Sequence, residues 1–304
     1  MITMILLILT VSGAAEAADE TVFVHEWGVV LIDEVLPVAI GAERGFLEEN
    51  GMLQPYYSMI VDAPVLWFHG PEFTGTMTVE VQNGYFSLLI PIPSTISTCD
   101  ETIPVFRDEE NYLAVWDDLS FSHSDGMPCD RPVDKEGIST EEGFQWAMPF
   151  WREVPALTVS YEPASYVDRF IYYECSAAHL FGEQDPLEDF LRGAIVFHEE
   201  DGKLAADLVV APRNRIRIEI AVLDEGILEV LSGWGGDEFL DEEINALWKT
   251  WKPGLLTRCL SYGETVVVFP LTDDQIESIS TIDLRIDQGY SVEYSRLFLA
   301  MGSI

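Results

Sequence analysis

The sequence predicts a mainly β protein, an antiparallel β-sandwich-like architecture of two β regions with one long amphipathic helix in the C-terminal part. Three observations predict it. Short runs rich in β-branched and aromatic residues recur along the chain, separated by Gly, Pro, Asn-Gly and Asp-Gly signals. Hydrophobic residues fill 48% of the 304 positions, enough for a sizeable core. A single long stretch, residues 237–251, carries helical rather than strand periodicity.

Taken in order, the chain opens with an apolar run at residues 4–11, then small residues and the small-x-small site Ala15-Glu16-Ala17. This pattern predicts a signal peptide over residues 1–17 and a periplasmic or extracellular protein. The run is too short for a membrane span, which needs about 20 apolar residues, and no later segment supplies one. The mature chain divides into an N-terminal β domain, 18–182, and a C-terminal β domain, 183–304.

Strands are expected at 21–32, 64–69, 76–81, 85–90, 156–161 and 169–174 in the first half. Those of the second half fall at 194–199, 204–211, 215–223, 265–269, 282–286 and 292–300. Asn83-Gly84 and Asp201-Gly202 each separate two such runs and read as two-residue hairpin turns, which need positive φ at both central positions. Residues 100–143, with Pro, Gly and acidic clusters, read as a long loop or insertion.

In the 237–251 helix, Leu240, Ile244, Leu247, Trp248 and Trp251 form one apolar stripe. Asp237, Glu238, Asp241, Glu242 and Glu243 crowd its start, Lys249 and Lys252 sit at its end, and Pro253-Gly254 stops it. Two shorter helices are expected, at 186–192 after the cap Asp185 and at 272–279, where Thr272 and Gln275 have capping-box spacing.

Sixteen Lys and Arg against 53 Asp and Glu leave a formal charge of −37. Nucleic acid and anionic membrane surfaces are thereby excluded as partners, because both are bound by clustered cations that release counterions. Such a surface suits a salty or divalent-rich medium. The partners that remain are a divalent cation, a glycan or an envelope protein.

The four cysteines, Cys99, Cys129, Cys175 and Cys259, contain no Cys-x-x-Cys pair, which argues against a zinc ribbon or a thioredoxin-like centre. In an exported chain two disulfides are the default. Cys99–Cys129 is the favoured pair, because it would staple a turn-rich stretch with little core of its own. Cys175 and Cys259 serve equally as buried thiols.

Motifs for nucleotide binding, the α/β-hydrolase elbow, the zincin helix and the EF-hand are absent. The acidic clusters Asp108-Glu109-Glu110, Asp117-Asp118 and Glu199-Glu200-Asp201 read as solvated surface before they read as calcium ligands. Attention falls on histidine, of which there are five. On a strand, His25 shares a face with Phe23 and Trp27 while Glu26 points the other way, so His25 and Glu26 make no local dyad unless the strand bulges. His69 shares a face with Val65 and Trp67 and meets His25 if their strands are neighbours. His25, Glu26, Trp27 and His69 are therefore the candidate binding residues, with core-edge histidines as the plainer reading. Trp27, Trp67, Trp116 and Trp234 offer flat contact surfaces or, more ordinarily, core.

His25-Glu26-Trp27-Gly28, just after a signal peptide, resembles the opening of the HEWGTFT family of uncharacterised exported bacterial proteins. The resemblance continues in order through Ala63-Pro64-Val65-Leu66-Trp67-Phe68, residues 78–82, Asp168-Arg169-Phe170-Ile171-Tyr172-Tyr173, Leu247-Trp248-Lys249-Thr250-Trp251 and a final strand with Arg296. Val29-Val30-Leu31 stands where the family has Thr-Phe-Thr. The resemblance implies export and a shared architecture, and it carries no activity with it.

Two functions fit these observations. One is an exported acidic β-rich module, non-catalytic, that binds a partner or serves a structural role at the cell envelope. The alternative is a metal-dependent or His-based hydrolase using His25, which requires a second polar group within reach of that ring.

Overall fold

The computed structural model describes residues 20–32, 59–82, 84–98, 112–123, 144–177, 193–211, 214–219 and 222–303. Residues 1–17, expected as a signal peptide, the helix expected at 186–192, Asn83, Cys99 and Cys129 lie outside the described residues. The chain is mainly β, with sheets of nine and six strands. Its strands are β1 Thr21–Ile32, β2 Met59–His69, β3 Phe73–Val81, β4 Gly84–Ile90, β5 Thr95–Thr98, β6 Tyr112–Ser122, β7 Thr158–Tyr161 and β8 Tyr166–Asp168. There follow β9 Ile171–Ala177, β10 Ala194–Glu200, β11 Lys203–Ala211, β12 Asn214–Ile218, β13 Val266–Pro270, β14 Ser280–Ile286 and β15 Ser291–Ser303. The helices are α1 Met148–Trp151, α2 Leu223–Gly235, α3 Asp241–Leu256 and α4 Asp273–Ile279.

The larger sheet runs β12-β11-β10-β13-β15-β1-β2-β9-β4 and the smaller β14-β3-β6-β7-β8, with β5 also paired to β6. Strands from both sides of residue 183 enter the larger sheet, where β1 and β15 lie side by side. That pair is parallel, whereas every other pair among the described residues is antiparallel. A parallel neighbour is reached only through a crossover, and here nearly the whole chain intervenes.

β1 is buried on both faces, as its almost unbroken hydrophobic run requires. Its even-numbered face meets the smaller sheet. Phe68, opposite Val24 on β2, packs its ring 4.5 Å from that of Phe121 on β6. Gly28 lies opposite Phe298, and a Cβ there would come within 3.0 Å of that ring, so the motif glycine makes room for an aromatic cover. The odd-numbered face meets the helices: Trp67 Nε1 donates to the Trp151 carbonyl at 3.1 Å, and Trp151 Nε1 to Thr250 Oγ1 on α3 at 3.0 Å.

Several expectations need correction. β3 and β4 enter different sheets, so Asn83-Gly84 does not join a paired hairpin; turn chemistry specifies a local reversal, while the partner is chosen by which core each strand's apolar face can reach. Residues 112–122, read as loop, form the central strand β6. Residue 223 ends no strand; it begins α2, whose Ile227 and Leu231 are buried. The long helix starts at Asp241, because Gly236–Glu238 forms a separate 3-10 turn, and it continues through Pro253 to Leu256. Thr257 Oγ1 donates to the Pro253 carbonyl at 3.0 Å.

Other expectations match the structure. Asp201 and Gly202, at φ 51° and 75°, close the β10–β11 hairpin. Thr272 caps α4, accepting from Gln275 N at 3.2 Å while Gln275 Oε1 accepts from Thr272 N at 2.9 Å. No described helix is long and apolar enough to cross a membrane. Cys175 and Cys259 are buried thiols, as the second reading of them had it, so the default of two disulfides does not hold.

Candidate metal centre

β1 and β2 are antiparallel neighbours, with Phe23 opposite His69 and His25 opposite Trp67. This register sets His25 and His69 diagonally on the helix-facing side, their ring centroids 4.7 Å apart. Above them the chain enters α3, and the ring of Phe239 stands 5.3 Å from that of His25. Three residues into the helix, the side chain of Glu243 turns down between the two imidazoles.

Every oxygen of that carboxylate is occupied. His25 Nδ1 donates to Oε1 and Oε2 at 3.1 and 3.0 Å, His69 Nε2 donates to Oε1 at 3.0 Å, and the Leu240 amide donates to Oε2 at 2.7 Å. Glu243 therefore closes the first turn of its own helix and ties that helix to two strands. Its side chain is fully buried, that of His25 is 7% exposed and that of His69 16%. Burial pushes the Glu243 carboxyl up, but hydrogen bonds from His25 and His69 and their charge outweigh it and hold the group below the ordinary carboxylate value. An ionised carboxylate only accepts, so the nitrogens facing it, Nδ1 of His25 and Nε2 of His69, carry the protons.

His25, His69 and Glu243 offer three ligand atoms within 4.8 Å of one another. Around a tetrahedral ion with bonds near 2.0–2.1 Å, neighbouring ligand atoms lie about 3.4 Å apart. The observed contacts of 3.0 Å to Glu243 need only open by a few tenths of an ångström to admit such an ion. Neutral rings can accept it by moving their protons to the outer nitrogens, while Oε2 keeps the Leu240 amide. Two imidazoles and one carboxylate suit first-row transition ions and zinc; magnesium and calcium prefer all-oxygen sites.

The sequence candidates divide between two places. His25 and His69 belong to this group, and Glu26 does not. On the opposite face of β1, Glu26 accepts from Arg296 Nε at 2.6 Å and from the Tyr173 hydroxyl at 2.8 Å. Arg296 also donates to the Ser280 carbonyl and hydroxyl, at 2.7 and 2.8 Å. Trp27 is core, with its ring 5.6 Å from Trp67 and 6.2 Å from Trp151. Trp27, Trp67 and Trp116 are fully buried and form no contact surface. His198 lies at the strand edge, where Arg217 bonds it together with Asp207 and Glu200.

Glu243 was hidden among the acids at the helix start, which read as partners of the macrodipole. One signal marked it out. It stands three residues after Leu240 and four before Leu247, on the edge of the apolar stripe, where a carboxylate without a partner would be costly. No family model, curated protein or solved structure matches the chain.

Proposed function

We propose that this protein is an exported, acidic β-rich module that binds one first-row divalent transition-metal or zinc ion through His25, His69 and Glu243. The single observation that carries the reading is the convergence of three ligand atoms, supplied by β1, β2 and α3, within 4.8 Å. One buried and one half-buried histidine fixed on a single buried carboxylate are more than a core edge requires. The acidic surface adds to the case, since a charge of −37 concentrates cations around the molecule. Of the partners the sequence leaves, a divalent cation is thus favoured. Across the two facing sheets and their helical layer, the ion would fasten α3 to the sheet beneath it.

The test uses the chelator-stripped chain, reloaded with zinc and freed of excess. Elemental analysis should give one zinc per chain, and calorimetric titration a single site. His69→Ala removes the most exposed ligand and should weaken zinc binding at least about 100-fold. His69→Ala binding zinc as tightly as the wild type, or a wild-type chain that retains none, would end the proposal.

A further inference from the structure

We infer, resting on the metal-binding reading above, that the centre activates water for hydrolysis of neutral or cationic acyl compounds, with Glu238 as the general base. Three protein ligands leave a tetrahedral ion one open position, the arrangement of catalytic rather than structural zinc sites. Exposure points to the Phe23 end of the strands as the side nearest solvent. Glu243 is closed off beneath the helix, whereas His69 is 16% exposed and Phe23, directly opposite it, is 39% exposed.

A second carboxylate stands on the β15 side of His25, across β1 from His69. Ser295 on β15 is the register partner of His25, so the two side chains are neighbours on one face, and Ser295 Oγ donates to Glu238 Oε2 at 2.9 Å. Glu238 directly precedes Phe239, whose ring rests by His25. Yet Glu238 lies outside the three-ligand group. Its role in this reading is to serve a water on the ion, reached from the β15 side, and not to bind the ion itself. Glu238 and Glu293 are both exposed beside this face and add to the net charge of −37, which repels phosphate esters and tolerates neutral or cationic substrates.

In the reaction, Glu238 accepts a proton from the water at the open position, and the resulting hydroxide attacks the acyl carbon. As the C–O bond to the alcohol breaks, Glu238 returns that proton to the departing oxygen. A carboxylic acid and an alcohol leave, one water is consumed, and nothing is oxidised or reduced.

The experiment measures hydrolysis of p-nitrophenyl acetate and bis(p-nitrophenyl) phosphate by the zinc-loaded full chain, beside the same zinc in buffer. Wild type should cleave the acetate above the buffer rate. Glu238→Gln should keep one zinc and lose about 100-fold or more in kcat, and Ser295→Ala, which only frees the orientation of Glu238, should lose a few-fold. Three outcomes overturn the inference: one bound zinc with no hydrolysis, Glu238→Gln as active as wild type, or faster cleavage of the phosphate diester. Failure to take up zinc is a different result, read by elemental analysis before any ester is added, and it removes the metal-binding reading itself.

Discussion

Glu26 and Glu243 are both fully buried acids, and their surroundings make them answer differently to mutation. Glu26 is held by a full positive charge. Removing one partner of a buried ion pair costs about 3–5 kcal/mol, because the other is left desolvated without compensation. Glu26→Gln keeps the volume and an acceptor for Tyr173 but strands Arg296, so its urea midpoint should fall by an amount worth about 3 kcal/mol; a loss under about 1 kcal/mol would show that water reaches Arg296. Cys259 supplies a second prediction at this scale. Burial pushes its thiol up to about 11, against partial opposition from Arg258. Cys259 itself should therefore resist a disulfide reagent at pH 8 in the native protein and be labelled only on unfolding, as peptide mapping of the labelled chain would show. Its stabilising contribution is complete below the unfolded thiol value near 8.5 and is lost as pH rises through about 11. Of the metal group, His25 and His69 were legible because strand period assigns a face to every residue. Glu243 was not, since an acid in a first helical turn has an ordinary role that masks a special one.

At the level of elements, strands with unbroken alternation were readable and the central β6 was not. Its buried residues Ala114, Trp116, Leu119 and Phe121 keep period two only up to Trp116, then resume one position out of phase. The cause is a bulge at Asp117-Asp118, seen as a register shift against Gly75 and Met77 on β3. Asp118 takes φ 59°, and Asp117 is held by Ser94 Oγ at 2.8 Å, so the two acids that suggested a surface loop are what the bend needs. Asp118→Val should cost about 1–2 kcal/mol, because a β-branched side chain is poorly tolerated at positive φ, whereas Asp118→Gly should be close to neutral. Thermal melts of the pair would decide it; equal losses in both variants would assign the effect to the lost carboxylate instead. α2 was missed for a related reason: Gly226, Gly233 and Gly235 weaken its helical signal, and Gly226 is there because a Cβ would come within 2.6 Å of Ile218.

For the whole molecule, the charge sets the terms of stability. Surface pairs such as Lys249–Glu153 and Lys252–Asp224 exist, but with 16 cations for 53 acids most carboxylates face others of their own sign. Exposed pairs contribute little, about 0–1 kcal/mol each, so they do not offset the summed repulsion. That repulsion acts across a Debye length of about 30 Å in 0.01 M salt but only about 8 Å at 0.15 M, while apolar burial and the enclosed Glu26–Arg296 pair are screened far less. Adding sodium chloride from 0.01 to 0.5 M at neutral pH should thus raise the melting temperature, by roughly 2–6 °C if screening recovers about 1–2 kcal/mol. Sucrose stabilises by exclusion rather than screening and serves as the neutral control. Because the effect comes from net charge, replacing exposed acids with glutamine should flatten the salt response without raising the melting temperature at high salt. A melting temperature indifferent to salt would mean that the carboxylates are already neutralised, and the metal content of the sample would then be the quantity to measure.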